Sequence, residues 1–279
     1  MMRRKSDWWV GLLGVIALSS VALAQTEAKP KTDAKPEAKA PVQTGDLPKA
    51  EALLAKSIEA SGGEKALRAI KGRTAKGTLE MAAAGITGKL EVVAAAPNRL
   101  RVKIDLGEAG KQERGTDGKV AWEVSSATGP RLIEGAELAQ FLREADMYAA
   151  LDWKRYYTKV ETAGAGKVGE RDVWQVDATP KEGPKESWFF DQQSGLMLKM
   201  ATTALTPMGD IEVESLLEDY RAVGDTKTPY TIRQRIMGME QVMKMTEIQN
   251  TDGAPDSTFE PPAEIRELKA GGASTAPKP

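Results

Sequence analysis

Between Arg73 and Asn250 the chain is built from short runs in which apolar residues recur at every second position. The cleanest is Leu100, Val102, Ile104 and Leu106, interleaved with Arg101, Lys103 and Asp105. A period of two puts these side chains alternately on a dry and a wet face, the signature of a half-buried strand. Strands are predicted at 74–81, 86–96, 100–106, 111–116 and 119–124, and again at 156–161, 173–178, 187–191, 196–204, 211–220, 230–237 and 241–250. Short turns such as Asp117-Gly118 and Gln193-Ser194-Gly195 separate them, so chain neighbours become antiparallel sheet neighbours. About eleven such strands side by side would span on the order of 50 Å. The few helices of the chain, each about 10 Å wide, cannot cover that face. The expected fold is therefore mainly β, a single antiparallel sheet that curls on itself or leaves an apolar concavity open.

The helical signal is confined to three places. Pro48 suits a first turn, Ala50, Leu53, Leu54 and Ile58 keep a spacing of three and four, and Gly62-Gly63 ends the run. A second short helix from Glu64 carries Leu67 and Ile70 on one side. Residues 137–153 interrupt the strands with Leu138, Phe141, Leu142, Ala145 and Tyr148 at helical spacing. This stretch is expected to lie over the sheet as one helix or two kinked ones.

The first residues read as an export signal. Arg3, Arg4 and Lys5 precede an apolar run, and Ala22-Leu23-Ala24 supplies the small residues of a cleavage site, which predicts a mature chain from Gln25. An uncleaved anchor helix is the other reading of the same run. Residues 25–46 repeat Ala, Lys, Pro and Glu, a composition expected to form a mobile tether, and 269–279 have the same character. The folded domain is expected over 47–268, roughly 220 residues, which suits one domain.

Composition narrows the chemistry. Cysteine and histidine are both absent. That removes disulfides, thiolate ligands, a lipidated cysteine, the usual general base and the Ser-His-Asp arrangement. Catalysis is disfavoured, and no cofactor is expected. With 39 basic and 40 acidic residues and no basic cluster, nothing points to nucleic acid.

Three groupings invite a sharper reading. Met237, Met239, Met243 and Met245, with Met197, Met200 and Met208 on nearby strands, suggest thioether ligands for Cu(I). Without His or Cys, and with Gly238 turning the chain between the pairs, a flexible apolar lining or plain core filling is the better account. Glu212 and Glu214 alternate with Ile211 and Val213, the pattern of a solvated outer face rather than of a carboxylate pair for hydrolysis or Ca²⁺. Trp122 and Trp188 sit in apolar strands and are expected to be buried rather than exposed as a carbohydrate platform. The segment from Thr116 to Trp122 is similar to a propeller blade motif, but it occurs once and a propeller repeats it.

An ordered series of short motifs carries a family resemblance. It comprises Ala60-Ser61-Gly62-Gly63 with Ala66-Leu67 and Ile70, Pro97-Asn98-Arg99-Leu100-Arg101, and Asp117-Gly118 followed by Trp122. Phe190-Asp191 with Ser194-Gly195-Leu196, Asp219-Tyr220-Arg221 with Pro229, and Phe259 with Pro261 complete it. The series resembles the periplasmic outer-membrane lipoprotein-sorting (LolA/LolB-like) carriers. The resemblance implies an unclosed β-barrel with helices covering the concave face, a periplasmic location, and a non-enzymatic role. It also implies an apolar cavity for lipid or lipoprotein acyl chains, with transient membrane contact. Soluble carriers of that family tie the lid with an arginine; Arg73 lies near the first strand, and the resemblance leaves the gating arginine unassigned. On this reading the cavity is lined by Leu100, Val102, Ile104, Trp122 and Leu142 from the first half. Trp188, Phe190, Met197 and Met245 supply the rest. The alternative is an envelope sensor or scaffold of the same fold that binds a protein partner; a hydrolase ranks third.

Overall fold

The computed structural model describes residues 47–272; the expected signal segment, the tether and the end of the tail lie outside them. The first half is a meander of β1 (Gly72–Met81), β2 (Ile86–Ala95), β3 (Arg99–Asp105), β4 (Lys111–Thr116), β5 (Ala121–Ser125) and β6 (Gly129–Ile133). The second comprises β7 (Tyr157–Val168), β8 (Arg171–Pro180), β9 (Glu186–Asp191), β10 (Met197–Ala204), β11 (Ile211–Val223), β12 (Thr226–Ile236) and β13 (Met239–Thr251). All thirteen form one antiparallel sheet in the order β6-β5-β4-β3-β2-β1-β13-β12-β11-β10-β9-β8-β7. Each meander thus grows outward from a central seam at which β1 pairs with β13. At Gly77 that seam carries a bulge, and a side chain there would lie 2.2 Å from the Lys244 carbonyl. Only glycine permits the approach.

Helices α1 (Ala50–Ala60) and α2 (Gly63–Ala69) precede the sheet, and α3 (Gly135–Ala145) with α4 (Trp153–Tyr156) joins β6 to β7. Because β6 and β7 are the two outer edges, this connection has to cross the mouth of the sheet. The crossing requires curvature. Strands β5 and β9, nine positions apart in sheet order, would be roughly 43 Å apart if the sheet were flat. Yet α3, about 16 Å long, reaches side chains on both arms. The sheet is curled but not closed, and the helix bridges the gap.

The concave face holds the core. Leu90, Val92, Ala94, Leu100, Val102 and Ile104 of β2 and β3 join Phe190, Leu217, Ile232, Met243 and Met245 from the other arm in one continuous apolar cluster. Leu53, Leu54 and Phe141 add to it from α1 and α3. The convex face is covered at one end by the C-terminal segment, ending in α5 (Ala263–Gly272), which packs against β6 and buries Ile265. This helix runs past Leu268, where the folded domain was expected to end.

Two differences from the predicted strands have physical causes. β6 lies outside the predicted strands and carries Gly129-Pro130; an edge strand tolerates a proline that a central one would not. β7 continues to Val168 through Gly164 and Gly166, glycines that read as a turn, with a bulge between Thr162 and Gly164. The helical interruption is two helices, α3 and α4, joined by a turn.

Candidate functional site

Helix α3 faces inward with Gln140, Phe141, Arg143 and Ala145. Its ends suit its charges, with Glu137 in the first turn and Arg143 in the last. Each inward polar group finds a partner on the sheet. Gln140 uses both ends of its amide, donating to the Thr203 carbonyl at 3.0 Å and accepting from the Leu205 N–H at 3.1 Å. Arg143 donates to Glu186 Oε1 at 2.7 Å and to the Glu182 carbonyl at 3.2 Å. The other Glu186 oxygen accepts from the Tyr157 hydroxyl at 2.8 Å and the Trp188 indole at 3.0 Å. Tyr157 and Trp188 meet edge to face, centroids 5.0 Å apart.

These contacts set the electrostatics. Burial opposes the Arg143 charge, but the Glu186 carboxylate beside it outweighs that and holds the guanidinium pKa above its ordinary value. Burial, with the neighbouring Glu186, raises the Tyr157 phenol well above its usual range. Burial pushes the Glu144 carboxyl up to about 8 against the pull of Arg114 and Arg143. On the opposite arm Arg114 and Arg131 share Glu123 and Glu137, with Arg131 bonding both at 2.8 and 2.7 Å. The Arg114 guanidinium lies 4.8 Å from the centroid of the Phe141 ring. Helix α3 is therefore held to both arms by buried charge.

The turn after α3 is fastened as well. Met147 N–H donates to the Pro97 carbonyl at 2.8 Å, Tyr148 donates to the Ile70 carbonyl at 2.8 Å, and Arg68 bonds Asp152 at 2.7 and 3.2 Å. Asp146 accepts from the Tyr148 N–H and the Tyr156 hydroxyl.

Beneath this strap lies a cavity of about 70 Å³. Its roof is Glu144, Ala149, Ala150 and Trp153; its floor is Trp188 and Phe190 of β9 with Met197, Met200 and Thr202 of β10. Leu54 of α1 also lines it. The register explains the floor. Met200 pairs with Trp188 and Met197 with Phe190, with a bulge between Met197 and Lys199 that turns both methionines to one face.

Of the predicted lining residues, Trp188, Phe190 and Met197 are on the cavity wall. Leu100, Val102, Ile104 and Met245 share the concave face but are packed in the core outside the cavity wall. Leu142 is half-buried on α3, away from the wall. Trp122 is fully buried on the opposite face, a correction to its expected place. It stands in register with Gly115 and Arg101, whereas Ala121, Thr116 and Leu100 make up the concave row. Arg101 donates to the Thr258 carbonyl at 2.8 Å and Arg99 stacks on Phe259, so the C-terminal segment covers that side. Leu54, Thr202, Arg143 and Glu186 were not predicted as lining, and Met200 only as one of the methionines read as a flexible lining or core filling. The bulge that aims Met200 and Thr202 inward leaves no trace in alternation.

Arg73 is buried on the concave face and bonds Asn250, Thr228 and Thr226. It thus braces the seam strands, while the arginine on the helical strap is Arg143. Of the methionines considered for copper, Met243 and Met245 are buried, whereas Met237 and Met239 at the Gly238 turn are 75% and 47% exposed. They make no common face. Glu212 is exposed and Val213 buried, as a solvated outer face requires. Among the described residues no group of three or more Asp or Glu is placed to hold a metal ion, and no helix is long and apolar enough to cross a membrane.

This architecture is that of the LolA/LolB-like fold. The sequence matches no protein-family model and no curated protein. Among solved structures it is similar to a DUF1329 family protein from Desulfovibrio piger, at 13% identity and a TM-score of 0.52, over 76% of this chain and 97% of that one. It is also similar to a LolA superfamily protein from Nitrosomonas europaea, at 14% identity and a TM-score of 0.50, over 77% of this chain and 99% of that one. At these identities the likeness concerns the fold.

Proposed function

We propose that this protein is a non-enzymatic carrier of the bacterial periplasm that takes a lipid or lipoprotein acyl chain into the cavity beneath α3. The supporting observation is the strap itself. An apolar floor of Trp188, Phe190, Met197 and Met200 is roofed by a segment fastened mostly through side chains. Such a roof can lift without unfolding the sheet. Burying methylenes at about 0.8 kcal/mol each would drive loading, so affinity should rise with chain length. A cavity of about 70 Å³ has room for about two waters, so loading would require the strap to move. Met197 and Met200 suit such a floor because thioether side chains repack easily.

The small cavity also favours a second reading, in which the protein is a scaffold or sensor of the envelope and binds a protein partner. One experiment separates them. The chain is expressed in a Gram-negative periplasm, its native mass spectrum is recorded, and bound lipid is extracted and displaced by a fluorescent alkyl probe. Co-purified acyl chains support the carrier. An empty protein that ignores the probe would overturn it in favour of the scaffold.

A further inference from the structure

The cavity has two chemically different ends. Along β9 the inward residues are Glu186, Trp188 and Phe190, a run of roughly 13 Å. On β10 they are faced by Thr202, Met200 and Met197. The Phe190 and Met197 end is apolar, and the Glu186 and Thr202 end is polar. At the polar end most groups are committed. Both Glu186 oxygens are taken by Arg143, Tyr157 and Trp188, and Arg143 is shared between Glu186 and the Glu182 carbonyl. Thr202 is the exception. Only 8% exposed, it lines the cavity, and its hydroxyl has no hydrogen-bond partner among the described residues.

We infer that the cavity takes a neutral amphiphile, its acyl chain along Trp188 and Phe190 and an ester, amide or hydroxyl head bonded by the Thr202 hydroxyl, in preference to a free fatty acid. The inference rests on the carrier reading and specifies its ligand class. A buried hydroxyl without a partner is retained against its desolvation cost, and a head group that accepts or donates one hydrogen bond would satisfy it. A carboxylate in the same position would instead meet the Glu186 carboxylate at close range in a water-poor site. The nearby cation, Arg143, is already engaged.

The test uses the mature chain with monolauroylglycerol and laurate, two probes of one chain length, in the wild type and in Thr202→Val and Thr202→Ser. Binding is read by displacement of a fluorescent alkyl probe. The glyceride should bind about tenfold more tightly than laurate. Thr202→Val should weaken the glyceride roughly threefold to tenfold, the worth of one hydrogen bond. Laurate binding should be unchanged, and Thr202→Ser should keep the glyceride affinity. Laurate binding as well as the glyceride, or Thr202→Val weakening neither or both equally, would overturn the inference and leave the carrier reading standing. Failure of both probes and of the alkyl dye to bind the wild type would overturn the carrier reading itself. Thr202→Val is nearly isosteric on a strand, and a matching circular dichroism spectrum checks its fold.

Discussion

Arg143, in the last turn of the helix that crosses the mouth of the sheet, donates to Glu186 at the start of β9 at 2.7 Å, with both side chains almost entirely out of water. Deleting one partner of such a pair strands a charge and costs about 3–5 kcal/mol, whereas replacing both can be nearly neutral. Arg143→Met should therefore lower the unfolding midpoint strongly. Arg143→Met combined with Glu186→Gln should recover much of the loss, because Gln can still accept from Tyr157. Chemical denaturation of the cycle checks this; additive losses would mean that the pair does not hold the strap.

Glu144 gives a pH dependence whose sign can be worked out. Its carboxyl is raised from an ordinary 4.5 to about 8 in the fold. Between those values the folded protein holds a proton that the unfolded chain has released, so stability contributed by this group falls as pH rises from 4.5 to about 8. Glu144→Gln should match the wild type in stability at the acid end and exceed it at the alkaline end. Thermal melts across that window are the measurement, and parallel curves for the two proteins would contradict it.

Thr202→Val should stabilise the empty protein by about 1 kcal/mol, since it removes an unpartnered hydroxyl and leaves a β-branched side chain in a strand. A drop in the melting midpoint of the ligand-free protein would show that the hydroxyl is structurally bonded.

Trp122 and Phe190 offer a contrast across the sheet. Trp122→Ala and Phe190→Ala should each cost about 3–5 kcal/mol. Only the Phe190 change opens the cavity wall. Binding of an alkyl probe, normalised to the folded fraction, should change for Phe190→Ala and stay constant for Trp122→Ala.

The alternation in Leu100, Val102 and Ile104 was enough to read a half-buried strand, and the antiparallel meander followed from the turns. Alternation does not say which face is which. Trp122 belongs to a strand whose two faces are both covered, one by the core and the other by Phe259 and its neighbours, so its apolar character does not reveal its side. The cavity was less legible still. A single extra residue after Met197 decides that Met200 and Thr202 point inward, and bulges are not encoded in periodicity. The Arg143 and Glu186 pair joins residues 43 apart in sequence, and no local pattern links them. Edge strands were the remaining gap, because β6 and β7 use Pro130, Gly164 and Gly166 where an inner strand would not.

The pairing of β1 with β13 sets the order in which the molecule can be completed. Each meander forms from neighbours along the chain and can assemble as soon as it is made, since local contacts close small loops cheaply. The strand that joins them is the last of the thirteen. Until it arrives, β1 and β12 are two bare edges in the middle of the future sheet, rich in unpaired backbone groups and open to other chains. A polypeptide truncated before Met239 would keep every residue of the cavity wall and both arms, yet would be an aggregation hazard rather than a smaller carrier.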